Sequence, residues 1–170
     1  ILDIGCNDGT MLNFFGKHKL GRYGIDPSSE KFIDNFDKDI TVTFDFFSEL
    51  TVRKMIKKQK FKIITSIAMF YDIEDPTHFM EDIKSLLTKD GIWVLELSYF
   101  VTLLENLTYD QICHEHVTYL GLHQIQWLVN QTNLNIVDVQ TNEINGGSIL
   151  VYFTKKTSSI PVNQSKVDYF

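Results

Sequence analysis

Cysteine is scarce in this chain: Cys6 and Cys113 are the only two. Two thiols so far apart offer no disulfide framework, which points to a reducing cytoplasm. Basic residues are outnumbered, 16 Lys and Arg against 22 Asp and Glu. A net charge of −6 excludes the cationic footprint of a nucleic-acid binder. The one basic cluster, Arg53-Lys54 with Lys57, Lys58 and Lys60, falls on an expected helix and reads as a solvated face. Apolar runs long enough to span a bilayer are missing, as is a signal peptide, so no membrane partner is expected. Neither repeats nor low-complexity tracts interrupt the 170 residues.

What is plentiful is apolar and aromatic bulk. Hydrophobic residues make up 44% of the chain, with 13 Phe and 7 Tyr. That suffices for one globular core and leaves aromatic rings over for a ligand pocket.

Strand-length apolar runs alternate with helical patterns. Ile1–Ile4, Tyr23–Ile25, Ile40–Phe44, Phe61–Ser66 and Ile92–Leu97 read as strands. Thr10–Phe15, Glu30–Phe36, Leu50–Lys58 and Thr77–Leu87 read as helices between them, the last stopped by Lys89-Asp90-Gly91. Crossovers of this kind build a parallel sheet with helices on both faces. Ile136–Gln140 and Ile149–Thr154 are separated by a connector too short for a helix. They form a hairpin, so the α/β sheet ends antiparallel. Residues 1–156 make the folded domain, and 157–170, with Pro161, reads as a linker toward a further domain. Because the first residues are already a buried strand with no Met before them, the chain is expected to be a piece of a longer polypeptide.

The stretch Asp3-Ile4-Gly5-Cys6-Asn7-Asp8-Gly9-Thr10 is a strand end, a tight turn and a helix start. Gly5 lets backbone approach a ligand, Gly9 permits close helix–strand contact, and Asn7 tolerates left-handed dihedrals. Asp26 ends the next strand, where a carboxylate accepts bonds from both ribose hydroxyls. Asp3 sits just before the turn. It would repel a pyrophosphate and suits an ammonium. A turn whose acids merely cap Thr10–Phe15 is the plainer alternative.

Taken together, Asp3–Thr10 and Gly24-Ile25-Asp26-Pro27-Ser28 resemble motif I and the ribose acid of class I S-adenosylmethionine-dependent methyltransferases. Ala68–Pro76 and Gly91–Glu96 are similar to that family's fourth and fifth strand region. The resemblance implies a Rossmann-like, mostly parallel sheet of the seven-stranded type. It implies S-adenosylmethionine as cofactor, held by Asp3, Gly5, Cys6, Asn7, Gly9, Asp26, Pro27 and Ser28. Asp45 and Phe46 would lie near adenine, and Ala68, Met69, Phe70 and Tyr71 would contact the cofactor. Phe46 and Phe47 read equally well as ordinary core.

The most unusual segment is Tyr109-Asp110-Gln111-Ile112-Cys113-His114-Glu115-His116. Two imidazoles, a carboxylate and a thiol in four residues are costly to bury unless paired or used. Three readings stand side by side: acid–base catalysis by a histidine that Glu115 orients, a metal site on Cys113, His114 and His116, and a structural turn. Adjacent ligands with no second pair are poor zinc spacing, so no metal is expected. His18, His78 and His123 read as surface residues without a role.

Asp110-x-Ile-x-His-Glu-His followed by Asn145-Gly146-Gly147-Ser148 resembles the signature of C-methyltransferases that act on nucleotide-linked ketosugars. That resemblance implies His116 as the base, with Cys113, His114 and Glu115 beside it. Cys113 stands where that family often has Tyr. It also implies a small-molecule acceptor touched by Tyr99, Tyr109, Asp110, Asn145, Gly146 and Gly147. Family members carry an N-terminal zinc-binding segment and a further C-terminal domain.

Overall fold

Seven strands form one mixed sheet in the order β3-β2-β1-β4-β5-β7-β6. The computed structural model describes residues 1–169. The strands are β1 (Leu2–Ile4), β2 (Arg22–Ile25), β3 (Ile40–Thr43), β4 (Phe61–Ile67), β5 (Leu87–Ser98), β6 (Leu134–Asn142) and β7 (Ser148–Lys155). The first five run parallel, and β7 lies antiparallel between β5 and β6. From β1 the chain winds outward through β2 and β3, then returns to place β4 on the other side of β1. Such a reversal opens a crevice outside the carboxyl ends of the strands.

Each expected helix is present with changed limits. Thr10–Phe14 is α1, Glu49–Ile56 is α2 and Pro76–Leu86 is α3. The last starts where the Asp75 carboxylate accepts the His78 N–H and Pro76 occupies the first turn. Phe79, Met80, Ile83 and Leu86 recur at helical spacing and are buried. Pro27–Asn35 is a 3-10 helix rather than the α-helix expected over 30–36.

The end of α3 differs from the sequence expectation in an informative way. The helix does not run to a stop at 89–91. Instead Leu87, fully buried, already pairs with Phe61 as the first residue of β5. A shift in register between Phe61 and Ile63 takes up the residues that follow. Gly91 serves that irregularity: a Cβ there would lie 2.9 Å from the Phe61 carbonyl oxygen. It permits close approach between strands and does not cap a helix.

Also present are α4 (Phe100–Asn106) and α5 (Leu122–Thr132), neither of which was read from the sequence. The second carried a legible signal, since Leu122, Ile125, Leu128 and Val129 are its buried stripe. The main core gathers on one face of the sheet around Trp93, which stacks on Phe153 at 4.4 Å and meets Phe70 edge-on at 5.8 Å. Leu12, Cys6 and Phe36 form a smaller cluster under α1.

Beyond β7 the chain folds back onto the sheet. The Ser159 N–H donates to Asp90 at 2.8 Å and the Asn163 N–H to the Val137 carbonyl at 2.7 Å. The short helix α6 (Gln164–Val167) then lies against β6, with Lys166 3.7 Å from Asp138. Among the described residues no helix is long and apolar enough to cross a membrane.

Candidate active site

The turn after β1 adopts three left-handed conformations, Gly5 at φ 76°, Asn7 at φ 44° and Gly9 at φ 79°. Two of the glycines do different work. A Cβ on Gly5 would crowd the Met69 side chain at 3.1 Å, so its absence lets the turn meet the loop after β4. A Cβ on Gly9 would sit 2.6 Å from the Phe36 ring. Gly9, expected among the cofactor residues, faces this packing contact instead of the crevice.

Asp26 is anchored from both sides. Its carboxylate accepts the Asn7 N–H at 2.9 Å and the Ser28 N–H at 2.6 Å, one on each oxygen. Each oxygen keeps a further lone pair for a ligand. Asp3 is only 4% exposed, and its one hydrogen-bond donor from a side chain is Thr65 Oγ1 at 2.7 Å. Burial pushes its carboxyl up to about 7; the Thr65 hydrogen bond opposes that rise, and nearby Asp26 adds to it. A carboxyl buried with no cation beside it is poised for one that arrives with a ligand.

Asp3 and Asp26 line one cavity of about 830 Å³, together with Gly5, Cys6, Asn7, Ser28, Ala68 and Met69. Gly5, Asp26 and Met69 also wall a second cavity of about 440 Å³, lined by Pro27, Asp45, Phe46, Phe47, Ile73 and Phe79. The two share Gly5, Asp26 and Met69 and form one crevice, with Asp3 in the first part and the rings of Phe46, Phe47 and Phe79 in the second. Phe46 is 78% exposed at its mouth and is not core. Phe47 packs on Phe79 at 4.8 Å. Cys6 is buried against Ser29 Oγ at 3.3 Å, and burial raises its thiol to about 12, so it is no nucleophile.

The loop leaving β4 turns sharply at Ala68, a non-glycine residue at φ 53°. Strain of this kind costs on the order of 1 kcal/mol and persists where surroundings enforce it. The Ala68 N–H is held by the Glu96 carbonyl at 2.9 Å. Phe70, expected at the cofactor, is instead 1% exposed and packs in the core against Phe79 and Trp93. Tyr71 turns away from the crevice as well. Its hydroxyl donates back to the Ala68 carbonyl at 2.9 Å.

Tyr71 leads to the histidine cluster. Its ring lies 4.0 Å from that of His116, and its carbonyl accepts the Val117 and Thr118 N–H groups. On the other side, His116 Nδ1 lies 2.8 Å from the Gln111 carbonyl oxygen. A carbonyl only accepts, so Nδ1 carries the proton and Nε2 keeps a basic lone pair. Gln111 is itself fixed by Ser98 Oγ at the end of β5, 2.9 Å from Oε1. The orienting partner is thus Gln111, not Glu115 as expected. Glu115 is exposed, and its own N–H, the Cys113 thiol and His114 hold its carboxyl below the usual range. Asp72, which the sequence reading passed over, lines the crevice, and its carboxyl feels both His116 and Glu115. Burial raises the Asp72 carboxyl, which His116 partly offsets. Among the described residues no group of three His, Cys, Asp or Glu is arranged to hold a metal ion.

A third cavity, of about 910 Å³, lies beside the crevice. It is lined by Tyr99, Thr102, Glu105 and Asn106 from the β5–α4 region, and by Asn142, Glu143, Gly146 and Gly147 from the β6–β7 connection. Ile144 of that same connection reaches the crevice, so Glu143, Gly146 and Gly147 on one side and Ile144 on the other make the connection a shared wall. A Cβ on Gly147 would meet Thr102 Oγ1 at 2.4 Å, and one on Gly146 would meet Thr108 at 2.5 Å. Tyr99, Gly146 and Gly147 therefore come together as expected. Tyr109, Asp110 and Asn145 are exposed and line none of these three cavities.

A family model described as a methyltransferase domain matches residues 1–139. Among curated proteins the chain is similar to C-methyltransferase NovU of Streptomyces niveus, 28% identical over 153 residues. The match covers 89% of this chain and 36% of NovU, so the chain spans about a third of that relative's length. Among solved structures it resembles the plantazolicin methyltransferase BpumL in complex with a pentazolic desmethylPZN analog and SAH. The TM-score is 0.69 at 14% identity, over 91% of this chain and 75% of that one. It also resembles the PH0226 protein from Pyrococcus horikoshii OT3, with a TM-score of 0.68 at 13% identity, over 91% and 80%.

Proposed function

The chain belongs to the methyltransferase domain family, and from that premise we propose that it is a methyltransferase that binds S-adenosylmethionine in the crevice at the carboxyl ends of β1, β2 and β4. The observation that carries this reading is the pairing of Asp3 with Asp26 in one cavity. Asp3, buried without a cation, receives the amino-acid ammonium. Asp26, preset by two backbone N–H donors, takes the ribose hydroxyls. Phe46 and Ile73 would hold the adenine, with Asp45 beside it. BpumL, a neighbour in fold, is solved in complex with SAH. When bound, the cofactor supplies an electrophilic methyl group.

The acceptor is a small molecule, and the reading that fits the histidine cluster best is methylation of a ketosugar carbon, the sugar being linked to a nucleotide. Similarity to NovU supports carbon as the acceptor atom. A carbon nucleophile requires removal of a proton next to a carbonyl. His116 Nε2, with Nδ1 tied to Gln111, takes that proton, and the C–H electron pair becomes the nucleophile. That carbon would take the methyl from the bound cofactor, and the carbon–sulfur electron pair would stay on sulfur. Holding acceptor and methyl in line supplies much of the rate. Cys113, His114 and Glu115 line the same turn, and Glu115 offsets the charge His116 gains.

His116→Gln, in the full-length protein, tests the reading. The variant binds SAH with unchanged affinity while methyl transfer falls by at least about 100-fold, the usual contribution of a general base. Normal turnover would remove His116 from the chemistry. Transfer of labelled methyl to oxygen or nitrogen, with no new carbon–carbon bond, would replace the acceptor atom and leave the cofactor site standing.

A further inference from the structure

We infer that Ile144 of the β6–β7 connection, with Met11 and Phe14 of α1, forms an apolar wall against the sulfur-bearing part of the cofactor and keeps water from it. The inference rests on the cofactor reading above and adds residues to that site. The lining of the first part of the crevice divides by origin. Its acids and most of its hydrogen-bonding side chains come from β1, the turn after it and the end of β2: Asp3, Asn7, Asp8, Asp26 and Ser28. The rest is chiefly apolar, with Met11, Phe14, Ile67, Ala68, Met69 and Ile144. Two of these are large side chains left in solvent, Phe14 at 79% and Ile144 at 57% exposed. Core packing accounts for neither, and exposed apolar groups bordering a cavity mark a surface that a ligand covers.

Local structure explains why these side chains are presented. In α1 Leu12 is the buried residue, while Met11 and Phe14, at i and i+3, share a different face that borders the cavity. Ile144 is fixed by its own backbone. Its N–H donates to Asn142 Oδ1 at 2.8 Å, and its carbonyl accepts the Gly147 N–H at 3.0 Å and the Ser148 hydroxyl at 2.9 Å. With both polar groups of the residue used, only its side chain is left to meet a ligand. The Gly146 carbonyl is tied to α4 by Asn106 Nδ2 at 2.9 Å, so the connection is a rigid frame. The chemistry of the cofactor selects what this wall meets. Its sulfur stands between the ribose, assigned to Asp26, and the amino-acid end, assigned to Asp3, so it belongs in the cavity those two acids share. A sulfonium or thioether has no N–H or O–H to satisfy, and a polarizable sulfur packs well on apolar groups. Water excluded by the wall cannot return a proton to a carbon nucleophile beside it.

The test uses calorimetry on the full-length protein, its Ile144→Thr variant and its Phe14→Ala variant, with three probes: SAH, S-adenosylmethionine and adenosine. Adenosine carries the ribose and the base but no sulfur, so it reports on the rest of the crevice. Each variant binds SAH about fivefold more weakly, the scale of covering half of a large apolar side chain. Each binds adenosine as tightly as the parent. Ile144→Thr keeps the branched Cβ and puts a hydroxyl dipole where the apolar tip was. That dipole suits a sulfonium better than a thioether, so S-adenosylmethionine loses less affinity than SAH in this variant. Unchanged SAH affinity in either variant, an equal loss for adenosine, or a loss for S-adenosylmethionine as large as that for SAH in Ile144→Thr overturns the inference. A parent protein that binds neither SAH nor S-adenosylmethionine overturns the cofactor reading instead, so the two failures are told apart.

Discussion

A single carboxyl, that of Asp3, should give this protein two opposite dependences on pH. In the folded protein its carboxyl is pushed up to about 7, because burial disfavours the charged form more than the Thr65 hydroxyl supports it. In the unfolded chain it titrates near 3.8, the ordinary value for an aspartate. Below about pH 3.8 it is protonated in both states and has no effect on stability. Between 3.8 and 7 the unfolded state releases the proton and the folded state does not, so stability falls as pH rises, and above 7 the loss is complete. A displacement from 3.8 to about 7 is on the order of 4 kcal/mol at 1.36 kcal/mol per tenfold. Ligand binding runs the other way. An ammonium requires the ionised carboxylate, so affinity for SAH rises tenfold per pH unit up to about 7 and then levels. At pH 5 the affinity should be about 100-fold below its plateau. Asp3→Asn keeps an acceptor for Thr65 and removes both slopes: the variant should be more stable at pH 8 and bind SAH at least about 10-fold more weakly, the scale of a lost hydrogen bond to charge. Calorimetric titration with SAH from pH 5 to 8, beside urea denaturation over the same range, reads both effects. A flat SAH affinity across that range, or an Asn variant that binds as tightly as the parent, would refute the pairing of Asp3 with an ammonium.

Three further outcomes follow from the geometry. Gly9→Ala forces a Cβ toward the Phe36 ring at a positive φ and should cost about 1–3 kcal/mol. That is a fall of several degrees in melting temperature by calorimetry, without a change in the far-ultraviolet spectrum. Tyr71→Phe removes the hydroxyl bond to Ala68 but keeps the ring against His116. It should leave SAH affinity within about threefold, a loss of no more than one neutral hydrogen bond. Tyr71→Ala should lower turnover and shift its pH profile, because the base loses its support. Phe46→Ala strips an exposed ring from the mouth of the crevice. SAH should bind more weakly by roughly 1 kcal/mol with stability unchanged, and equal losses for SAH and for free homocysteine would show that the ring does not meet adenine.

Much of the fold was legible because its signals are local. Each parallel strand is a short apolar run ended by a turn residue, and a helical pattern between two such runs leaves few arrangements. The hairpin was legible from the length of its connector. The junction of α3 and β5 was not, since Lys89-Asp90-Gly91 reads as a helix stop until Phe61 is known to lie beside Gly91. The site divides along the same line. Asp3, Asp26 and the glycine turn are set by their places on two adjacent strands, so the sequence placed them together. Phe70 and Tyr71, one residue apart, took different surroundings from those expected, because the left-handed turn at Ala68 decides which ring faces the core.

The succession of strands along the chain, the turn chemistry and the identity of the paired acids were thus determined by the sequence alone, since each depends on neighbours a few residues away or on a repeated period. Tertiary structure alone decided that a carbonyl from Gln111 orients His116 and that Asp72 joins the crevice. Each of those depends on which backbone groups from distant segments meet, and no pattern within one segment encodes that meeting.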